Sequence, residues 1–287
     1  MLNKSKAFVK ETSSLKKYLY AIPAFLIFVL LFHFFPPSGF DWRLGFYEVA
    51  KKTLSPYDVK LFINPPWIGF LLFPFRYFSE ISSLAINTSL NLVLLGVLVI
   101  ARKGSKLSVI LTLTSFPVLS MIANGNIEWI FALGFILQNR WSVPLLLLKP
   151  QVGLLAILSW GSFWNNKLSF FIPTLVIILI SFAVWGNWLS DMLTNIQNLQ
   201  NAQQGLSSWN ASLFPWSIPV GLILIYVILK YNPVDAEIFG VIATLCLVPY
   251  FAIYSTGILF ALISASHKRI AIILWILLWT YPFLQHH

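Results

Sequence analysis

Long apolar runs separated by short polar intervals fill almost the whole chain. A surface helix of a soluble protein keeps one polar face, whereas these runs are apolar all round, which is typical of helices that cross a membrane. Apolar runs and breaker residues together predict helices over 18–35, 81–101, 107–121, 127–138, 168–186, 212–230, 236–250, 252–266 and 270–284.

The number of times that two proline-punctuated segments, 63–78 and 141–164, cross the membrane is ambiguous. The distribution of Lys and Arg can decide it, because cytoplasmic loops carry an excess of these residues. If 63–78 stays outside and 141–164 is a tight helical hairpin bent at Lys149-Pro150, 13 basic residues lie inside and six outside. If 141–164 is a single span, nine lie on each side. The first topology is favoured, with the N-terminus cytoplasmic and the C-terminus extracytoplasmic.

The pattern therefore predicts an all-α polytopic membrane protein of about 9–11 membrane helices, folded as one membrane domain over 1–287. A basic cytoplasmic N-terminus covers 1–17, the first extracytoplasmic loop covers 36–80, and a later one covers 187–211. Several helices between 107 and 164 are shorter than the ~20 residues of a full span, and such helices are tolerated where they line a cavity.

Both outer loops are expected to carry short helices. In the first loop we expect a juxtamembrane helix over 42–53. In the later loop, 188–199 is predicted to be an amphipathic helix on the outer surface. The apolar face of this second helix is expected to consist of Leu189, Met192, Leu193 and Ile196.

Composition excludes several classes of protein. The chain is 58% hydrophobic and 10% charged, against roughly 25% charged in soluble domains. Its net charge of +10 comes from short basic clusters between apolar runs, so it indicates topology rather than a nucleic acid partner. There is no G-x-x-x-x-G-K-[ST], G-x-G-x-x-G, H-E-x-x-H or D-x-D motif, and the single Cys246 excludes an internal disulfide. ATP-driven transport and metal-held nucleotide-sugar chemistry are disfavoured.

The first loop holds the clearest candidate for acid–base chemistry. Asp41 follows the first apolar run, with Arg43, Tyr47 and Glu48 close behind it. A carboxylate at the edge of an apolar cavity suits a general base, because partial desolvation raises its pKa. The alternative is that Asp41 caps the helix over 42–53. Asp58 is expected to close a turn or to orient its neighbours.

Four other polar positions stand next to apolar segments. A lysine inside an apolar run costs a few kcal/mol unless it meets water or an anion, so Lys149 is interpreted either as a phosphate ligand or as a side chain that snorkels to the headgroups. Arg76 is expected to snorkel. Glu128 is interpreted as a helix cap, and Asn64 begins an Asn-Pro-Pro helix start.

Six segments follow one another along the chain: FDWRLGFYEVAKKTLSPYD, NPPWIGFLLFPF, NGNIEWIFALGFIL, LLLLKPQVGLL, NASLFPW and LVPYFAIYSTGILF. In this order they resemble the motifs of the GT-C glycosyltransferases, closest to the polyprenyl-phosphate-mannose-dependent mannosyltransferases of glycosyltransferase family 87. Asn126 stands where that family usually has Gln, and Tyr254 stands where it often has His.

The resemblance implies a GT-C-like bundle in the cell membrane with an extracytoplasmic active site and no metal or other cofactor. The implied reaction transfers a sugar, mannose by analogy, from a polyprenyl-phosphate donor to a glycan or glycolipid acceptor, with inversion. Asp41 is the implied base, and Lys149 and Arg43 are the implied phosphate ligands. The supporting or substrate-binding residues are expected to be Tyr47, Tyr57, Asp58, Asn64, Asn126, Glu128, Gln151, Asn210 and Tyr254.

Two alternatives stay open. A ligase that moves a lipid-linked glycan is the rival within the enzymes. A lipid or small-solute transporter is the rival from another class, since buried acids beside mid-membrane helix breaks are expected there as well. A transporter should place its ionisable residues within the spans, whereas this sequence gathers most of its predicted outer charges in the first loop.

Overall fold

The structure is a computed structural model that describes residues 19–165, 167–202 and 210–284, and within these ranges it is all-helical without a strand. The predicted basic segment 1–17 and part of the later loop, 203–209, lie outside the described residues. The α-helices are α1 (Ala21–Phe34), α2 (Tyr47–Lys51), α3 (Ile68–Leu72), α4 (Glu80–Ala101), α5 (Lys106–Leu113), α6 (Phe116–Asn124), α7 (Trp129–Leu137), α8 (Ser142–Leu146), α9 (Gly161–Asn165), α10 (Lys167–Trp185), α11 (Trp188–Ala202), α12 (Ile218–Tyr231), α13 (Ala236–Leu247), α14 (Gly257–Ser266) and α15 (Lys268–Leu284).

Shorter helical turns link these helices. A π-helical turn, Trp42–Phe46, runs directly into α2, and 3-10 turns cover Pro56–Asp58, Phe73–Tyr77, Pro150–Val152, Leu154–Ser159 and Ile253–Thr256. The first loop therefore carries short helices, as predicted. The juxtamembrane helix predicted over 42–53 ends at Lys51, because Lys52 leaves the helical conformation.

Two helices among the described residues, α4 and α10, are long and apolar enough to cross a membrane. A third span is available if α5 and α6, which are bent by 50° relative to each other, act as one. The other apolar helices have 10–17 residues, short of the ~20 that a straight span needs. The chain thus has the all-α, membrane-compatible character that the sequence predicts, and the larger count of 9–11 membrane helices stays a prediction.

The single helix predicted over 107–121 is wrong. The chain breaks at Thr114 and Ser115, and a new helix begins at Phe116 with Pro117 in its first turn. Proline lacks the N–H that would continue the preceding helix and disfavours the helical conformation of the residue before it. The result is a bent pair instead of one rod.

Two further boundaries differ from the prediction. The helix predicted from 212 begins at Ile218, because the polar groups of Ser212 bind elsewhere: its Oγ donates to the Val248 carbonyl at 2.6 Å and accepts from the Phe214 N–H at 3.1 Å. The helix predicted over 252–266 opens with the 3-10 turn Ile253–Thr256 before α14. The break predicted at Lys149-Pro150 is present, since α8 ends at Leu146 and the chain continues only in 3-10 turns.

Helix α4 is the central element, and it packs against α1, α7 and α14. Its buried stripe includes Leu84, Leu92, Leu95 and Leu98, which join the main hydrophobic core. By contrast, α1 has no buried residue, which suits a helix whose side chains face lipid. Because α4 is fixed on several sides, polar side chains on its buried stripe can hold neighbouring loops in place.

Candidate functional site

A cavity of about 590 Å³ lies between the first loop, α11 and the turns that follow α8 and α13. Its volume falls within the roughly 300–1,000 Å³ typical of small-molecule sites. Much of the wall is apolar, and the polar residues converge from distant parts of the chain. The lining residues are Phe40, Asp41, Gly45, Phe46, Leu61, Phe62, Ile63, Asn64, Asn126, Lys149, Gln151, Ile196, Leu199, Asn210, Pro249, Tyr250, Ala252, Tyr254 and Ser255.

Asp41 enters this cavity from a tightly held turn. The Gly39 N–H donates to the Ala123 carbonyl at 2.8 Å, and Gly39 has φ +62°, which a side chain would strain. The next residue, Trp42, is fully buried and donates from Nε1 to Ser83 Oγ at 3.1 Å. Asp41 makes no side-chain capping bond to the helical turn that follows. The capping alternative is therefore wrong, and the carboxylate faces the cavity.

The Asp41 carboxylate accepts a hydrogen bond from Asn126 Nδ2 at 2.6 Å. Burial raises the pKa of this carboxyl above its ordinary value, while the positive charge of Lys149 and the bond from Asn126 oppose the rise. A carboxylate with a raised pKa binds a proton more readily than a solvated aspartate does. This is the property expected of a general base.

Asn126 sits in a turn that a side chain at position 125 would disrupt. Gly125 has φ +72°, and a Cβ there would lie 2.6 Å from the Trp42 Cβ. The Asn126 side chain is bifunctional, since its Nδ2 donates to Asp41 and its Oδ1 accepts from Lys149 Nζ at 3.3 Å. One buried amide therefore joins the first loop to the segment after α8.

Two asparagines on α4, Asn87 and Asn91, hold this turn and were missed by the sequence analysis. The Asn91 Nδ2 donates to the Asn126 carbonyl at 2.6 Å, and its Oδ1 accepts from the Trp129 N–H at 2.6 Å. The Asn87 Nδ2 reaches the same carbonyl at 3.0 Å, and its Oδ1 accepts from Trp129 Nε1 at 3.0 Å. Both are fully buried. Their spacing of four residues inside an apolar helix is the signal that could have identified them.

Lys149, which lines the cavity, forms a buried ion pair with Glu128. The Lys149 Nζ lies 2.6 Å from Glu128 Oε1, and the side chains are 11% and 2% exposed. The Nζ also lies 4.6 Å from the centroid of the Tyr254 ring. Lys149 points inward, so the snorkelling interpretation is wrong.

Glu128 occupies the N-cap position of α7, as predicted, but its side chain makes no capping bond there and pairs with Lys149 instead. Its second oxygen, Oε2, is buried without a hydrogen-bond partner among the described residues. A buried acceptor in that condition carries a desolvation cost of about 1–3 kcal/mol, more for a charged group. The site thus holds two carboxylates, Asp41 and Glu128, against the single ammonium of Lys149.

Asn210 closes the cavity on the side of the loop after α13. Its Oδ1 accepts from the Phe251 N–H at 3.2 Å, and its Nδ2 donates to the Pro249 carbonyl at 3.0 Å. An isolated β-bridge between Asn210 and Ala252 joins the two segments further. The loop that carries Tyr254 is therefore fixed by Asn210, whose side chain is engaged with the backbone.

Helix α11 forms another wall of the cavity, and its predicted place in the fold is partly corrected. The helix is present over Trp188–Ala202. Buried Asn195 donates from Nδ2 to the Phe62 carbonyl at 3.0 Å, so α11 is docked on the first loop. Ile196 lines the cavity, whereas Leu189 and Leu193 are 41% and 55% exposed. The predicted apolar face is therefore divided between the cavity and the outside.

The remaining predicted site residues divide into two groups. Asn64 and Gln151 line the cavity. Tyr57 does not line it but donates its hydroxyl to the Asn64 carbonyl at 3.0 Å, a supporting position. Burial, assisted by the charge of Asp191, raises the pKa of Tyr57, which favours the donating phenol.

The second group lies away from the cavity lining: Arg43, Tyr47 and Asp58. The Arg43 guanidinium pairs with Glu80 at 3.2 Å, and Tyr47 donates its hydroxyl to the Phe78 carbonyl at 2.9 Å. Asp58 is exposed at the end of a 3-10 turn, in keeping with a turn position. Sequence proximity to Asp41 was misleading for Arg43 and Tyr47, because the helical turn after Asp41 rotates them to other faces.

Within the described part of the chain, no three His, Cys, Asp or Glu side chains converge as metal ligands would. The polar groups that do converge include two carboxylates, one ammonium, amides and two phenols. Such a set can take a proton, bind an anionic oxygen through the ammonium, and hydrogen-bond to hydroxyl groups.

Comparisons of the chain with models of protein families, with curated protein sequences and with solved structures find no match.

Proposed function

We propose that the protein is an integral membrane glycosyltransferase that moves a sugar from a polyprenyl-phosphate donor to an acceptor hydroxyl, with Asp41 as general base. One observation carries the proposal. A carboxylate with a raised pKa and a buried ammonium line the same cavity, joined through Asn126. A base on one side and a cation on the other are the two groups that such a displacement requires.

In the proposed reaction, the acceptor hydroxyl lies against Asp41 and its oxygen attacks the anomeric carbon of the donor sugar. The hydroxyl proton passes to Asp41, the bond from the anomeric carbon to the phosphate oxygen breaks, and polyprenyl phosphate leaves with its electron pair. A single displacement inverts the configuration of that carbon. The leaving group is one phosphate, so a lysine can offset its developing charge, and the proposal involves no metal or other cofactor.

Lys149 is the proposed phosphate ligand, and it has a competitor in Glu128. The ammonium already lies 2.6 Å from a carboxylate that is buried with it. An incoming phosphate must share or displace this carboxylate, which lowers donor affinity but positions Lys149 before the donor arrives. Arg43, in contrast, forms an ion pair with Glu80 and does not line the cavity. It is therefore not included in the proposed phosphate site.

The apolar wall gives the proposed lipid chain a surface to follow. Leu61, Phe62, Ile196 and Leu199 line the cavity from the first loop and from α11. Removing apolar surface from water stabilises binding by roughly 25 cal/mol per Å². A prenyl tail against this wall and a phosphate at Lys149 would place the sugar between Lys149 and Asp41.

The proposal includes the cellular setting that the sequence predicts. The chain is placed as a multi-pass protein of the cell membrane with a GT-C-like fold, a cytoplasmic N-terminus, and an extracytoplasmic active site and C-terminus. The acceptor is a glycan or glycolipid, and mannose is the proposed sugar because of the resemblance to family 87. Docking of α11 on the first loop supports this setting, because it brings both predicted outer loops to one cavity.

The test is transfer of mannose from a short-chain polyprenyl-phosphate donor to a panel of glycolipid and glycoside acceptors by the purified protein. Asp41→Asn is expected to lower transfer by about 10²–10⁴-fold, the usual range for a general base, while donor binding is retained. Asp191→Asn is the matched control, since Asp191 is exposed on α11 outside the cavity lining. Equal turnover by wild type and Asp41→Asn would remove the base assignment.

A transporter of lipids or small solutes is the second candidate, and one observation favours it. Glu128 and Lys149 come from outside the first loop and form a buried pair beside the helix break at Lys149-Pro150. Buried ionisable pairs at such breaks are found in secondary transporters. Solute flux in proteoliposomes that Glu128→Gln abolishes, without transfer to any acceptor, would favour the transporter over the transferase and over a glycan ligase.

A further inference from the structure

A second cavity, of about 540 Å³, lies within the first loop and shares no lining residue with the first. It combines cationic side chains with aromatic and aliphatic ones, and no acid lines it. We call it the basic groove. Its lining residues are Lys51, Lys52, Thr53, Leu54, Ser55, Phe70, Phe73 and Arg76.

The charge of the basic groove is mostly uncompensated. Lys51 pairs with Glu48. In the described part of the molecule, neither Lys52 nor Arg76 forms an ion pair with an acid. The Arg76 guanidinium lies 5.1 Å from the centroid of the Phe73 ring. Stacking on an aromatic face leaves the N–H edges of a guanidinium available to an oxyanion.

The position of the basic groove relative to α10 indicates the kind of anion. Trp185, the last residue of α10, donates from Nε1 to the Thr53 carbonyl at 2.9 Å, and its ring lies 4.9 Å from that of Phe70. Because α10 is long enough to cross a membrane, its tryptophan end is expected at the level of the lipid headgroups. Phe70 and Leu54 are 51% and 76% exposed there. An anion at this place has apolar surface beside it.

We propose that the basic groove binds an anionic phospholipid. The phosphodiester oxygens accept hydrogen bonds from Lys52 and Arg76, and an acyl chain lies along Phe70 and Leu54. Arginine and lysine together suit a phosphate, because charge-assisted bonds to its oxygens are stronger than neutral ones. This site is separate from the proposed transfer reaction and does not depend on it.

The experiment is native mass spectrometry of the full chain released from detergent micelles that contain equal amounts of phosphatidylglycerol and phosphatidylcholine. Wild type is compared with Lys52→Gln/Arg76→Gln. The matched control is Lys60→Gln/Arg140→Gln, which removes one lysine and one arginine at exposed positions that line neither cavity. A parallel arm measures thermal stabilisation of the wild type by inorganic phosphate alone and, separately, by phosphatidylglycerol.

We expect wild type and the control to retain phosphatidylglycerol in preference to phosphatidylcholine. The groove variant should retain at least roughly tenfold less phosphatidylglycerol, because each cation near an anionic headgroup contributes to binding. Equal loss in the control would show a general effect of charge and overturn the site. Equal retention of the two lipids by wild type would also overturn it. Stabilisation by inorganic phosphate that matches stabilisation by phosphatidylglycerol would identify a free-anion site instead of a lipid site.

Discussion

Two ion pairs lie near opposite ends of α7, and they differ in how completely their polar atoms are satisfied. Before α7, Glu128 pairs with Lys149. After it, Glu237 of α13 pairs with Arg102 at 2.8 Å. The second pair is less buried, with side chains 20% and 16% exposed, yet it is the better satisfied one.

At the Arg102 pair, both oxygens of Glu237 are in use. Oε1 accepts from Gln138 Nε2 at 2.8 Å and from Trp160 Nε1 at 3.1 Å, in addition to the guanidinium. Arg102 also donates to the Phe135 carbonyl at 2.7 Å. This pair joins the ends of four segments, and both carboxylate oxygens are bonded to protein donors. It is a structural clamp.

At the Lys149 pair, by contrast, Glu128 Oε2 has no partner in the described structure, and Asp41 uses one oxygen on Asn126 while facing a cavity. Burying polar groups without full satisfaction costs stability, which folding alone does not explain. This difference supports the proposal that the first pair serves chemistry, while the second serves the architecture.

The largest effect on stability is expected at the clamp. Glu237→Ala leaves Arg102 without its carboxylate and should lower the free energy of unfolding by about 3–5 kcal/mol. The measurement is chemical denaturation in detergent. Glu80→Ala is the control, because the Arg43–Glu80 pair is 38% and 40% exposed and should contribute under about 1 kcal/mol. Similar losses in the two variants would contradict the assignment of Glu237 as a clamp.

A smaller effect is expected where α4 holds the turn before α7. Asn91→Ala removes the donor to the Asn126 carbonyl and the acceptor of the Trp129 N–H, which should lower the unfolding free energy by about 1–3 kcal/mol. The Asn126 carbonyl then keeps only the bond from Asn87, so transfer should fall more in Asn91→Ala than in Asn124→Ala. Asn124→Ala is the control, because Asn124 bonds only locally to Ser120. An Asn91→Ala protein with normal turnover would show that the turn does not need this support.

The pH dependence of transfer should show the coupling between Asp41 and Lys149. The proposed transfer needs the Asp41 carboxylate, so activity should be lost as pH falls through the raised pKa of Asp41. Lys149 lowers that pKa, so Lys149→Gln should move the acid limb of kcat/KM to higher pH. Lys60→Gln should leave the limb in place. A limb that moves to lower pH in Lys149→Gln would contradict the proposed arrangement.

The sequence predicted those features of the site that depend on local signals. The break at Lys149-Pro150 and the short helices of the first loop follow from proline and polar residues along the chain, and the structure contains them. Asp41 and Lys149 were identified because a charge beside or inside an apolar run is costly. The helix at Trp188–Ala202 follows from its amphipathic pattern.

Pairings between distant segments could not be predicted in this way. The ion pair between Glu128 and Lys149 depends on how α7 and the turn after α8 pack against each other. The periodicity of apolar residues along the sequence does not indicate this packing. Asn91 lies within an apolar run that hid its role, and Arg43 is next to Asp41 in sequence but faces Glu80. Neighbours in sequence share a face of a helix only at particular spacings, so proximity along the chain was a poor guide.

The most direct test of the contrast between the two ion pairs is the affinity for polyprenyl phosphate of Glu128→Gln and Glu237→Gln, measured beside wild type. Glu128→Gln removes the carboxylate that competes for Lys149, so the phosphate should bind about tenfold more tightly, or ~1.4 kcal/mol. Glu237→Gln should leave the affinity unchanged and lower only the thermal stability. Unchanged or weaker binding in Glu128→Gln, or the same change in both variants, would contradict the claim that the Lys149 pair is the site of chemistry.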